Sequence, residues 1–436
     1  MLRTTCFSAG GRAAALAALL SAGPLLAQTR APRPTADSAR IRADIAYLAD
    51  DRLEGRMIGT PGNDSAAAYI ARRFRALGLA PVVQPFTARV QAFAHAGRPF
   101  EFATRNVVAL IPGRDPTLRG QVVVLGAHYD HLGHDRTWAN DPAAGDAIRN
   151  GADDNASGTA AVLELARLFK ARPPRRSVLL VAFSAEEEGT LGSQWFVEHP
   201  TVPTDSMVAM LNFDMVGRLA NDRLLVYGVA TADELQAIVD STNAAGPHLA
   251  VKTLGDGVGP SDHASFFFKQ VPVLHFFTDQ HPDYHAATDD VERINAAGEA
   301  RVVNLAYAVA RTIADRPARL VFHAPPQSHI AAGGPESATG SRPYLGSVPD
   351  MAADSAGGLR LAGVTPGSPA EKAGLKTGDV VVQLGEKAIT DLYSYSDALY
   401  AHQPGDVVTV VVIRPAAGSA SPERVTMSVT LGRRGE

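Results

Sequence analysis

Three stretches decide the fold: QVVVLGA at residues 121–127, ASGTAAVLELARLFK at 156–170 and SVLLVAF at 177–183. The first and third are short, nearly unbroken apolar runs rich in β-branched residues. The second repeats its apolar positions at helical spacing. Apolar runs recur at 207–213 and 271–277. Strands that are apolar on both sides and separated by helical stretches are those of a mostly parallel sheet covered by helices on both faces. The fold class expected is α/β.

Upstream, residues 41–79 are helical in pattern, broken at Gly59-Thr60-Pro61-Gly62. Asn63 or Asp64 is positioned to cap the second helix, with Ala68, Ile70, Ala71, Phe74 and Leu77 on its buried side. Further upstream, Arg3 and Arg12 precede an apolar run and the small-residue site GPLLA at 23–27, the pattern of a secretory signal. Export with cleavage near Ala27 is expected, to the periplasm or beyond, followed by a tail at 28–40. The run is too interrupted for a membrane anchor. The expected domains are therefore a signal at 1–27, the tail, a catalytic domain at 41–322, a Pro/Gly/Ser-rich linker at 323–342 and a small domain at 343–436.

Composition narrows the chemistry. In 436 residues, Lys+Arg 41 against Asp+Glu 45 leaves a net charge of −4, with no surplus of positive charge for phosphate contacts, so no nucleic-acid partner is expected. The single cysteine, Cys6, lies in the signal, which excludes a disulfide and any thiolate metal site. There is no Gly-X-Ser-X-Gly elbow and no His-Glu-X-X-His helix. A metal must rest on His, Asp and Glu.

Those residues stand where the strands end. His128 and Asp130 follow the first run, Asp153-Asp154-Asn155 precedes the helix, Glu186 and Glu187 follow the next run, Asp214 ends another, and His285 lies beyond the last. Groups past the carboxyl ends of parallel strands converge on one crevice. Acidic and imidazole groups gathered there call for a divalent cation: zinc, or less specifically manganese or cobalt. Two histidines and three carboxylates exceed what one open tetrahedral ion needs, and suit two ions sharing a carboxylate. Asp130, two residues after His128, is placed to accept from the other ring nitrogen of that ligand.

The segments His128-Tyr129-Asp130, GADDNASG at 151–158, AEEEG at 185–189, NFDMVG at 212–217 and Tyr284-His285 resemble, in order, the motifs of the co-catalytic dizinc aminopeptidases. That family includes secreted bacterial leucine aminopeptidases and, more distantly, glutamate carboxypeptidase and glutaminyl cyclase. LEGR at 53–56 and GTPG at 59–62 extend the resemblance, which covers about residues 41–315. It implies that His128, Asp154 and Asp214 hold one zinc and Asp154, Glu187 and His285 the other. It also implies Glu186 as general base toward metal-bound water and Tyr284 as a donor to the oxyanion. Within the acidic runs, the family places its bridging ligand directly before Asn155, hence Asp154; Ala185 and Gly189 frame Glu186 and Glu187 as the working pair.

His263 and His275 are expected in core or loop-ordering roles, and His131, His134 and His281 on the surface. Pro343-Tyr344-Leu345-Gly346, VTPGSPA at 364–370 and AGLK at 373–376 resemble a bacterial-type PDZ domain, a small α+β unit. Residues 344–347 match its carboxylate-binding loop, which implies a peptide C-terminus as a partner. The activity expected is removal of N-terminal residues from peptides. A single-zinc glutaminyl-cyclase-like acyltransferase, or a carboxypeptidase or dipeptidase of the same fold, stands as the alternative. Oligomeric state leaves no signal in the sequence.

Overall fold

Each apolar run becomes a strand because burial on both faces rewards an unbroken row of Val, Leu and Phe by about 1.5–3 kcal/mol per side chain. The computed structural model describes Thr5 and residues 34–90, 100–136, 138–324, 343–349, 357–365, 367–390, 394–395, 398–399, 401–415 and 422–433. The expected signal apart from Thr5, the first part of the tail and nearly all of the linker lie outside the described residues.

The strands of the larger sheet are β1 (Val82–Val90), β2 (Phe100–Ile111), β3 (Val122–His128), β4 (Ser177–Phe183), β5 (Met207–Phe213), β6 (Arg223–Tyr227), β7 (Ala250–Leu254) and β8 (Val273–Phe277). Their order is β1-β2-β4-β3-β5-β8-β6-β7. The central four, β4-β3-β5-β8, are parallel, whereas β2 pairs antiparallel with β4 and β6 antiparallel with β8. The sheet is thus parallel where the motifs lie and reverses at its flanks. Every residue of β3, β4 and β5 is buried.

Helices α1 (Ser38–Leu48), α2 (Pro61–Ala76), α3 (Gly158–Ala171), α4 (Leu191–Glu198), α5 (Leu235–Ala244), α6 (His263–Phe267) and α7 (Ala296–Asp315) cover the faces. Alternation along β3 sorts the core into two. Val123 and Leu125 join Phe74, Phe169 and Val303 on one face, and Val122 and Val124 join Phe196 and Phe266 on the other. The cap of α2 differs from expectation: Thr60 Oγ1 accepts from Asn63 N at 3.3 Å with Pro61 in the first turn. That choice uses Pro where its missing N–H costs nothing. Along the helix Ala66 and Ala67 are buried, whereas Ala68, expected on the buried side, is exposed.

The C-terminal strands are β9 (Pro343–Tyr344), β10 (Ser347–Pro349), β11 (Leu359–Val364), β12 (Val380–Leu384), β13 (Lys387–Ala388), β14 (Val407–Arg414), β15 (Glu423–Thr430) and β16 (Gly432–Arg433), with α8 at Pro369–Ala373. They form a sheet ordered β10-β11-β12-β14-β15 with β13 on β12, and a β9–β16 pair, around a separate core that includes Leu361, Val381, Val410 and Val429. Among the described residues no helix is long and apolar enough to cross a membrane.

Candidate metal centre

The carboxyl ends of β3, β4, β5 and β8 bring the chemistry together. His128 closes β3, Glu186 and Glu187 follow β4, Asp214 follows β5, and His285 sits in the loop after β8. Asp154 lies in the irregular turn that enters α3. Three residues at these ends hold left-handed backbone: Ala185 (φ +63°), Met215 (φ +53°) and His285 (φ +54°). Such conformations cost stability in non-glycine residues and cluster where a site dictates them.

The side chains gather on either side of Asp154, and among the described residues the sets whose ligand atoms lie mutually close enough to hold an ion are His128, Glu186 and Asp214, and His128, Asp154 and Glu187. Asp154 Oδ1 lies 3.4 Å from His128 Nε2, and its Oδ2 lies 3.1 Å from His285 Nε2. On the first side Asp214 Oδ1 is 3.3 Å from His128 Nε2; on the second Glu187 Oε2 is 3.2 Å from His285 Nε2. Glu186 Oε2 is 3.8 Å from His128 Nε2, near enough to His128 and Asp214 to be a further donor. Asp153 turns away, accepting from Gly217 N at 2.7 Å and meeting His281 Nε2 at 3.0 Å. Glu188 lines a pocket with Met57, Ile58, Leu132 and Asp135, where burial pushes its carboxyl up to about 8. Tyr284 stacks on His285 with ring centres 3.8 Å apart.

A second layer orients these ligands. His128 Nδ1 faces the backbone oxygen of Asp130 at 3.2 Å and His285 Nδ1 that of Trp138 at 2.9 Å. Each ring donates its Nδ1–H to a carbonyl, which turns Nε2 into the cluster, the nitrogen that would give up its proton to the carboxylates' shared metal. The Asp130 carboxylate, expected on His128, has Oδ1 at 3.7 Å from Nδ1 and instead accepts from the backbone N–H of Glu186 (3.2 Å) and Glu187 (3.4 Å). It fixes the loop that carries the acidic pair. Asp289 Oδ2 likewise accepts from Asp153 N and Asp154 N at 2.9 and 3.0 Å, and Ser261 Oγ donates to Asp214 Oδ2 at 2.7 Å.

Two surface expectations are corrected. His131 is fully buried and its Nδ1 lies 2.6 Å from Glu187 Oε1, because the chain after β3 continues inward along the sheet edge. His281 is mostly buried against Asp153. His134 is exposed, and His263 stacks on His275 at 4.5 Å in the interior. Local sequence carries no sign of Ser261 or Asp289, whose contacts depend on loops from distant strands; His131 was detectable only by its place in the run His128-Tyr129-Asp130-His131.

Electrostatically the cluster is short of positive charge. Asp130, Asp154, Glu186, Glu187 and Asp214 crowd together, and the buried Arg56 nearby gives its hydrogen bonds to the carbonyls of Leu48, Tyr129, Asn150 and Gly151. Burial alone lowers the His285 pKa, but Glu187 and Asp154 raise it to about 10. Burial and Asp154 push Glu187 up, yet His285 and His131 bring it down to about 2. Burial drives Glu186 well above the usual carboxylate range, opposed by His128 and assisted by Asp214 and Glu187. Imidazole nitrogens and carboxylate oxygens converging in a buried crevice crowded with carboxylates are the donor set of a catalytic zinc site.

Known proteins resemble the chain in both of its parts. Residues 106–310 match peptidase family M28 and residues 343–430 match the PDZ domain. The leupeptin-inactivating enzyme 1 of Streptomyces exfoliatus is 28% identical over 281 residues, covering 63% of this chain and 57% of that protein. The chain spans between 22% and 57% of the length of the curated relatives it matches. In fold it is similar to the zinc aminopeptidase of Bacillus subtilis, with a TM-score of 0.55 at 17% identity over 67% of this chain and 99% of that one. It is also similar to the glutaminyl cyclase of Bacteroides thetaiotaomicron, with a TM-score of 0.54 at 20% identity over 64% and 99%. A sheet with a metal-ready crevice at its strand ends, a second small β-rich core and these two matches together identify the chain as one that carries a peptidase family M28 domain followed by a PDZ domain.

Proposed function

We propose that the chain is an exported two-zinc aminopeptidase, divided as signal 1–27, tail 28–40, peptidase domain 41–322, linker 323–342 and PDZ domain 343–436. The observation that carries the reading is Asp154, with one carboxylate oxygen toward each histidine. His128 and Asp214 complete one ligand set, and Glu187 and His285 the other. Zinc bound there supplies Lewis acidity toward a scissile carbonyl and lowers the pKa of water toward about 7. Glu186 takes the proton of the attacking water on its carboxylate and returns it to the leaving amine nitrogen. Asp130, by holding the Glu186 and Glu187 N–H groups, keeps base and ligand in fixed relation. Tyr284 donates its phenol to the developing oxyanion.

Glu186→Gln keeps the shape of the site and removes the base. It should retain zinc and lose nearly all hydrolysis of free-N-terminus peptides; near-normal turnover would overturn the mechanism. Peptides carrying an N-terminal acetyl group should resist the wild-type enzyme.

The likeness of fold to a glutaminyl cyclase supports a second reading, a single-zinc acyltransferase. In that branch a Trp typically precedes the last metal histidine, where this chain has Tyr284. Elemental analysis separates the two: two zinc ions per chain for the peptidase, one for the cyclase. At the PDZ domain, the loop between β9 and β10, with Gly346 at φ +83°, offers backbone N–H groups to a peptide carboxylate.

A further inference from the structure

We propose that His131 is a positioning residue that locks the carboxylate of Glu187 in the orientation the second ion requires. The inference rests on the two-zinc reading above. A ligating glutamate has two oxygens and a freely rotating terminal bond, so one oxygen reaches the metal reliably only if the other is held. Glu187 divides its oxygens in this way: Oε2 lies 3.2 Å from His285 Nε2, and Oε1 lies 2.6 Å from His131 Nδ1. Since Oε1 is an acceptor, His131 Nδ1–H is the donor.

The surroundings commit the ring to this task. His131 is fully buried, lies edge-on to His285 with ring centres 5.7 Å apart, and its Nε2 meets no hydrogen-bond partner among the described residues. An unpaired ring nitrogen in the interior costs stability, and a Phe or Leu would fill the same space without that cost. What an apolar residue lacks is the Nδ1 donor. The nearest oxygen of the bridging carboxylate, Asp154 Oδ2, is 3.8 Å from Nδ1, too far for a hydrogen bond. His131 therefore acts on Glu187 rather than on the shared ligand. The opposite wall is cut to fit: a Cβ added at Gly151 would come within 2.4 Å of His131 Cγ and Cδ2.

The test uses the full chain stripped of metal and titrated with zinc against a chromogenic chelator, then with cobalt to follow the visible absorption of the second ion. His131→Phe keeps the ring and removes the donor; His131→Asn places an amide N–H near the position of Nδ1. Wild type should take up two ions. His131→Phe should bind the first ion as wild type does and the second about 10–100-fold more weakly, with an unchanged melting temperature for the metal-free chain. His131→Asn should recover most of the loss. Second-ion affinity in His131→Phe within twofold of wild type, equal weakening of both ions, or no recovery in His131→Asn overturns the inference and leaves the two-zinc reading intact. A wild-type chain that binds one zinc overturns the two-zinc reading itself, and the inference with it.

Discussion

Glu299→Gln should stabilise the protein at neutral pH and leave it unchanged in mild acid. Glu299 is fully buried in the first turn of α7, and neither carboxylate oxygen has a hydrogen-bond partner among the described residues. Burial, reinforced by the nearby Asp153 and Asp44, pushes its pKa well above the ordinary 4.5. The folded chain thus binds this proton more tightly than the unfolded chain. Its contribution to stability is complete below pH 4.5 and is lost progressively as the pH rises toward the folded value. Each pH unit through which the native carboxyl stays protonated costs about 1.4 kcal/mol, which sets a ceiling of about 3 kcal/mol at pH 7. Glutamine has the same shape and no proton to acquire, and its unfilled hydrogen bonds resemble those of the neutral acid, so that term largely cancels. The expected gain is about 1–3 kcal/mol at pH 7 and near zero at pH 4.5, with roughly 2–4 °C in Tm per kcal/mol for a domain of this size. Thermal melts of both proteins at the two pH values, with chelator throughout so that metal binding does not vary, provide the measurement. A gain of equal size at both pH values, or none at pH 7, refutes the reasoning.

Asp154→Ala removes the carboxylate that turns one oxygen toward each histidine and should abolish binding of both ions; an unchanged zinc content by elemental analysis would exclude the shared-ligand arrangement. In the C-terminal unit, Asp379 is buried and accepts from Arg414 Nε and Nη2 at 2.8 and 2.7 Å and from Lys376 N at 2.9 Å. Asp379→Ala leaves a partly buried guanidinium unpaired and should lower the stability of that unit by about 3 kcal/mol. Denaturation followed by circular dichroism checks this, and a curve superimposable on wild type would count against it.

The central strands are legible because burial on both faces leaves no room for polar interruption: β4 and β5 occupy the residues their apolar runs occupy, and β3 begins and ends one residue later than its run. The flanking strands are not. β1 carries Pro85 and alternates between exposed and buried positions, and β7 is buried only in part. Neither has the continuous signal that a covered strand requires. The ligand positions are legible for a related reason, since each follows a readable strand end or opens a readable helix. The supporting layer depends on tertiary closure. His131 meets a residue 56 positions away, and Asp289 reaches back 136 and 135 positions to the Asp153 and Asp154 amides. No local pattern encodes such pairings. The antiparallel flanks and the reversal of β6 against β8 are likewise settled by where the chain returns, not by the residues within the strands.

The proposed donors stand on separate elements, from the end of β3 to the loop beyond β8, and the last of them, His285, follows the final strand of the large sheet. No fragment that ends before β8 contains all of these proposed donors, and among the described residues no single hairpin or helix presents them together. Zinc therefore cannot nucleate this fold as it does in fingers whose ligands are neighbours in sequence. Loop closure across the whole sheet has to come first. Metal uptake becomes the last event of maturation and a stringent report on it. On that reading a chain stays inert until its topology is complete, and retained zinc marks the molecules in which assembly has finished.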